Sequence, residues 1–122
     1  MPGQSILIVD DDRSIANAIR TTLETEGYTV DIAETGREAI EKSATKIYDL
    51  ALLDIRLPDM DGCEVLRIMR ARTPRTAVII LTGYLEPRQP AGSSTLGADG
   101  YLVKPVDVEE LLEIINQKLI GR

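Results

Sequence analysis

Four short apolar runs decide what this chain can fold into. Ser5-Ile6-Leu7-Ile8-Val9 stops at Asp10-Asp11-Asp12, and Leu50-Ala51-Leu52-Leu53 stops at Asp54. Ala77-Val78-Ile79-Ile80-Leu81 stops at Thr82, and Gly100-Tyr101-Leu102-Val103 stops at Lys104-Pro105. Short runs with no polar alternation are the pattern of strands buried on both faces of a parallel sheet. Ligands of such sheets bind just beyond the carboxyl ends of the strands. If the four runs are parallel, carboxylates, a hydroxyl and an ammonium converge on one rim, which suits a divalent cation beside a phosphoryl group.

Between these runs the period changes to that of helices. Residues 13–26 put Ile15, Ile19 and Leu23 on one face, and Gly27 is placed to end that helix. Residues 28–33 alternate and predict a further strand at a sheet edge. Thr35 with Glu38 predicts a capping box that opens a helix to about Lys46. Asp61 with Glu64 repeats the pattern ahead of Val65, Leu66 and Met69, and Asp107 with Glu110 repeats it ahead of Leu111, Leu112, Ile115 and Leu119. The alternation predicts one α/β domain over residues 1–122, with five strands and five helices. Residues 86–97 resist helix formation, because Pro87 and Pro90 are followed by Gly92, Ser93, Ser94 and Thr95. An interior proline costs ~3 kcal/mol and a glycine ~1 kcal/mol relative to alanine. The fourth helix is therefore expected to be short or irregular, starting no earlier than Pro90.

Composition excludes several classes. The formal charge of -6 and the scattered basic residues argue against direct nucleic-acid contact. No apolar run approaches the ~18 residues of a membrane span, and three aspartates interrupt the first one, against a signal peptide. A lone Cys63 excludes an internal disulfide and fits a reducing cytoplasm; it reads as a small residue in the first turn of a helix. Histidine is absent, so any imidazole chemistry must come from a partner.

The acidic residues carry the chemistry. Asp12 is explained as the N-cap of the first helix, but capping needs only one aspartate, which leaves Asp10 and Asp11 unexplained. With Asp54 they form a cluster of like charges. Two such charges ~4 Å apart repel by ~4 kcal/mol at an effective dielectric near 20. A cluster of this kind raises a pKa or holds a cation, and carboxylates with retained waters and phosphate oxygens are what Mg2+ prefers. Replacing Asp10 or Asp11 with asparagine is accordingly expected to stabilise the metal-free fold. Pro105 fixes the chain after Lys104, through a bond that can be cis, and aims the ammonium over the rim toward Asp54. Thr82 adds a hydroxyl donor for a phosphoryl oxygen.

With these motifs in place, the chain resembles the receiver domain of two-component response regulators, the chemotaxis-regulator-like family. The resemblance rests on Ile8-Val9-Asp10-Asp11-Asp12, on 54–62 (Asp-Ile-Arg-Leu-Pro-Asp-Met-Asp-Gly), on Ile80-Leu81-Thr82-Gly83 and on Tyr101-Leu102-Val103-Lys104-Pro105, and it covers the whole length. It implies a doubly wound, flavodoxin-like (βα)5 fold with strand order 2-1-3-4-5. It implies that Asp54 is the phosphoacceptor, that Asp11, Asp54 and the backbone carbonyl of Arg56 ligate Mg2+ with Asp10 acting through water, and that Lys104 and Thr82 assist. Thr82 and Tyr101 would be the switch pair. The donor would be a sensor histidine kinase or a histidine phosphotransfer protein. The surface of the fourth helix, fifth strand and last helix would control an output protein or domain, in trans or removed from this chain, with phosphorylation-dependent dimerisation compatible. The chain would not be an enzyme beyond its own phosphorylation and dephosphorylation. Bulky Arg56 and Tyr84 beside the site imply slow dephosphorylation. Pro58 and Gly62 shape the loop that carries the Arg56 carbonyl.

A rival reading is a haloacid-dehalogenase-type, Mg2+-dependent phosphatase. Asp10-Asp11-Asp12-Arg13-Ser14 fits its nucleophile motif, with Asp10 attacking. That reading lacks a downstream acidic pair and leaves Asp54 and its loop without a purpose. A pseudo-receiver that is never phosphorylated is opposed by the intact Asp11, Asp54, Thr82 and Lys104.

Overall fold

The computed structural model describes residues 3–82 and 98–120. The expected helix at 86–97, Tyr84 and the side chain of Thr82 lie outside them. In chain order the elements are β1 (Ser5–Val9), α1 (Arg13–Thr25), β2 (Thr29–Ala33), α2 (Gly36–Thr45), β3 (Leu50–Asp54), α3 (Gly62–Arg72), β4 (Ala77–Thr82), β5 (Gly100–Val103) and α4 (Val108–Leu119). The strands form one parallel sheet in the order β2-β1-β3-β4-β5, so the alternating 28–33 segment lies at an edge as its pattern predicts.

The central strands are apolar without interruption because each face of the sheet has its own core. Successive side chains of a strand point to opposite faces. Ile6, Ile8, Leu50, Leu52, Ile79 and Leu81 pack on one face against Ala16, Ile19 and Leu23 of α1 and Leu111, Ile115 and Leu119 of α4. Leu7, Val9, Ala51, Leu53, Val78 and Ile80 pack on the other against Ala39 of α2 and Val65, Leu66 and Met69 of α3. Ile15 and Leu112, expected on the buried stripes, are only partly buried at their margins. Among the described residues no helix is long and apolar enough to cross a membrane.

Helix ends follow the local sequence with one correction. Asp12 caps α1 by accepting from Ile15 N, and Gly27 follows its end at φ 99°, where glycine is favoured. Thr35, Asp61 and Asp107 each accept an amide of the helix they precede. The reciprocal half differs in two of the three predicted capping boxes. Glu38 reaches the amide of Glu34 rather than that of the N-cap Thr35, and Glu64 pairs with Arg67 along its own helix. A carboxylate at the third helical position has several partners within reach, and the i,i+3 arginine competes with the helix end.

Strand order and register build the rim. Chain direction across the sheet reverses at β1 and β3, the switch point where doubly wound sheets bind ligands. Val9 pairs with Leu53 and Thr82 with Val103, so Asp10, Asp54 and Lys104 all emerge at the carboxyl edge of the sheet.

Candidate functional site: an acidic cluster bridged by a lysine

Three carboxylates and one ammonium meet on this rim. Asp10, Asp11 and Asp54 each present an oxygen, and the three oxygens lie within 4.8 Å of one another. Asp10 is fully buried, Asp54 is 7% exposed and Asp11 faces solvent. Lys104 follows β5 through a cis bond to Pro105, and its Nζ donates to Asp10 Oδ2 at 2.7 Å and to Asp54 Oδ2 at 3.1 Å. The remaining oxygens take backbone amides: Asp10 Oδ1 accepts from Asp12 N at 2.9 Å, and Asp54 Oδ1 from Arg56 N at 3.0 Å. Each buried carboxylate therefore has one oxygen on the lysine and one on the main chain.

These contacts oppose burial. Burial pushes the Asp54 carboxyl above its ordinary range, against the pull of the Arg56 amide and the Lys104 ammonium, with Asp10 adding to the rise. Burial pulls Lys104 down, but Asp10 and then Asp54 outweigh it and hold the ammonium above its usual value. Lysine is thus charged here, and burial works against the charge of Asp54. A hard divalent cation would relieve that tension, because the cluster offers oxygen donors on two buried walls and one open side. The residues present fit Mg2+.

The sequence expectation for the aspartates splits in two. Asp10 is not a spare like charge, since it holds the shorter of the lysine's two contacts and the Asp12 amide. Asp10→Asn is therefore expected to destabilise the fold, by weakening a buried pair, rather than to stabilise it. Asp11 is exposed. Asp11→Asn should raise the denaturation midpoint in chelator and weaken Mg2+ binding. Denaturant melts with and without Mg2+ check both, and a higher midpoint for Asp10→Asn would contradict this division.

Other expected residues occupy the surroundings. Arg56 is exposed, in the loop between β3 and α3, and its backbone forms an isolated bridge with Asp61. Tyr101 lies on β5 opposite Ile80, half-buried, with a hydroxyl that has no hydrogen-bond partner among the described residues. Gly62 is required by close approach, since a Cβ there would lie 2.7 Å from Ile55 Cα and would also strike the Asp54 carbonyl oxygen. Cys63 sits half-buried in the first turn of α3, as expected. Asp59, to which the sequence reading gives no role, binds the first amides of α2. No local pattern announces that contact, because its partners lie in a different element.

Comparison with known proteins agrees with this fold. The profile of the response regulator receiver domain matches residues 6–116, and the chain belongs to that family of two-component signalling proteins. It is 42% identical over 115 residues to the response regulator ArlR of Staphylococcus epidermidis, covering 94% of this chain and 52% of the relative. It is 41% identical over 111 residues to the transcriptional regulatory protein DltR of Streptococcus agalactiae, covering 91% of this chain and 50% of that protein. The chain thus spans about half the length of the curated relatives it matches. Among solved structures it superposes with a TM-score of 0.92 on a CheY-like receiver domain protein from Methanospirillum hungatei, at 43% identity over 96% of this chain and 94% of that one. It is also similar, at TM-score 0.86 and 38% identity over 95% and 99% of the two chains, to the response regulator TrrA of Thermotoga maritima in complex with Mg(2+)-BeF.

Proposed function

We propose that this domain carries a phosphoryl signal on Asp54. The observation that carries the reading is Lys104, whose ammonium bridges Asp10 and Asp54 at the switch point of the sheet. A carboxylate oxygen of Asp54 attacks the phosphorus of a phosphohistidine, and the bond from phosphorus to the imidazole nitrogen breaks with its electron pair leaving on the nitrogen. The donor is a sensor histidine kinase or a histidine phosphotransfer protein, consistent with a chain that has no histidine. Asp11, Asp54 and the Arg56 carbonyl would hold Mg2+, with Asp10 acting through water, and the cation would supply positive charge to the phosphoryl group. Lys104 supplies a further positive charge and passes from the carboxylate to the phosphoryl oxygens. The structure of the related TrrA is a complex with Mg(2+)-BeF, which supports a role for Mg2+ in this chain.

Once Asp54 is phosphorylated, Thr82 turns toward the new oxygens and Tyr101 moves inward. The hydroxyl of Tyr101 has no partner to hold it in its present position among the described residues, which favours such movement. The face beside β5 and α4 then selects an output protein or domain. Relatives named as transcriptional regulators make a DNA-binding output one candidate, and the net charge of -6 speaks only for these 122 residues. Asp10 as a phosphatase nucleophile is disfavoured, because it is fully buried whereas Asp54 keeps 7% exposure.

The discriminating experiment counts turnover. With a phosphorylated histidine kinase or acetyl phosphate as donor, the protein should take up at most one phosphoryl group per chain and release phosphate no faster than it loses that label. Many equivalents of phosphate released by an unlabelled chain would point to a phosphatase instead.

A further inference from the structure

The loop that borders the acidic cluster is tied to a neighbouring helix by a residue outside the cluster. Asp59 Oδ1 accepts from Gly36 N at 2.8 Å and Oδ2 accepts from Arg37 N at 2.9 Å. These are the first two amides of α2, donors that the helix itself cannot satisfy. The N-cap Thr35 takes a different one, the amide of Glu38, at 3.0 Å. One helix end is therefore capped twice, locally by Thr35 and from the distant loop by Asp59. The Arg37 and Gly36 amides hold the exposed Asp59 carboxyl below its ordinary range, as expected for an anion at a helix N-terminus.

Packing follows the same line. A Cβ on Gly36 would strike Met60 Cγ and lie 2.7 Å from Met60 Sδ, so the bare glycine lets Met60 rest on the first turn of α2. The two ends of the loop are pinned to β3. Asp54 Oδ1 takes Arg56 N at 3.0 Å, and Gly62 N donates to Ile55 O at 2.7 Å. The apex at Asp59 and Met60 rests on the first turn of α2.

We propose that Asp59 is a positioning residue: by docking the loop apex on α2 it holds the Arg56 backbone where the cation site needs it, and couples occupancy of that site to the first turn of α2. This rests on the cation site assigned above. The coupling is reciprocal, so a cation that favours the docked loop also favours the Gly36 and Arg37 hydrogen bonds.

Mg2+ titration calorimetry and amide hydrogen exchange test it on the wild type, Asp59→Ala, Asp59→Asn and Thr35→Ala. Asp59→Ala should weaken Mg2+ binding by about tenfold, the low end of the range for residues that support ligands. Asp59→Asn keeps one acceptor oxygen and should fall between that variant and the wild type. Thr35→Ala frays the same helix end from its other cap, at the Glu38 amide, and should cost clearly less Mg2+ affinity than Asp59→Ala. Mg2+ should increase protection of the Gly36 and Arg37 amides in the wild type and not in Asp59→Ala. Equal Mg2+ affinity in the wild type and Asp59→Ala, or an equal loss in Thr35→Ala, would overturn the positioning role while leaving the cation site standing. A wild type that binds no Mg2+ would overturn both.

Discussion

Lys104→Ala should destabilise the fold by about 3 kcal/mol at neutral pH, the low end of what removing one partner of a buried ion pair costs. The lysine side chain is 15% exposed and its partners are 1% and 9% exposed, too dry for the small values of surface pairs. The loss comes less from the contacts forgone than from Asp10 and Asp54 left facing each other without a cation. Its pH dependence has a defined sign. Burial already raises Asp54 above its ordinary value, and the ammonium is one of the groups holding it down. An acid whose folded pKa exceeds its unfolded one loses stability as pH rises from the unfolded value through the folded one. Removing Lys104 raises the folded value further and widens that window, so the variant should recover much of its deficit in acid. Adding Asp10→Asn to Lys104→Ala should restore part of the loss at neutral pH, and denaturant melts of the two single variants and the double variant read the coupling. A deficit below about 0.5 kcal/mol would mean that the pair behaves as a solvated surface bridge.

Gly62→Ala is the second large effect, and its cause is steric. The added methyl would meet the Asp54 carbonyl oxygen, Ile55 Cα at 2.7 Å and Ile55 O at 3.0 Å, all backbone atoms that cannot swing aside. Overpacking of this kind costs about 1–3 kcal/mol, and the upper end applies where the main chain itself must shift. The shift falls on the end of β3 and on the hydrogen bond from Gly62 N to Ile55 O, so Asp54 moves with it. Both thermal stability and phosphoryl uptake should drop together. A variant as stable as the wild type and labelled at the same rate would show that α3 recoils without disturbing β3.

Four strands were legible as short apolar runs and the edge strand by its alternation, and the two-sided core explains why Leu7 and Ile8 are equally buried. Asp10, Asp54 and Lys104 were legible as a group for a related reason: each follows the last apolar residue of a parallel strand, so one topological rule brings them to one rim. What lay beyond that rule was side-chain choice over long range. Lys104 was expected to aim at Asp54, yet its shorter contact is to Asp10, 94 residues away. Both partners satisfy the pattern, and the strand-end rule does not rank them. Glu38, Glu64 and Asp59 teach the same lesson at helix ends. A capping signature locates the start of a helix, but which carboxylate reaches which amide depends on neighbouring elements. For α2 the second cap comes from the loop after β3, in sequence terms from nowhere near the helix.

Intact-mass spectrometry after incubation with acetyl phosphate tests the central claim most directly. The account predicts a single added phosphoryl group on the wild type in Mg2+, none in chelator, and none on Asp54→Asn in either condition. Equal labelling of Asp54→Asn, or labelling of the wild type that ignores Mg2+, would contradict it.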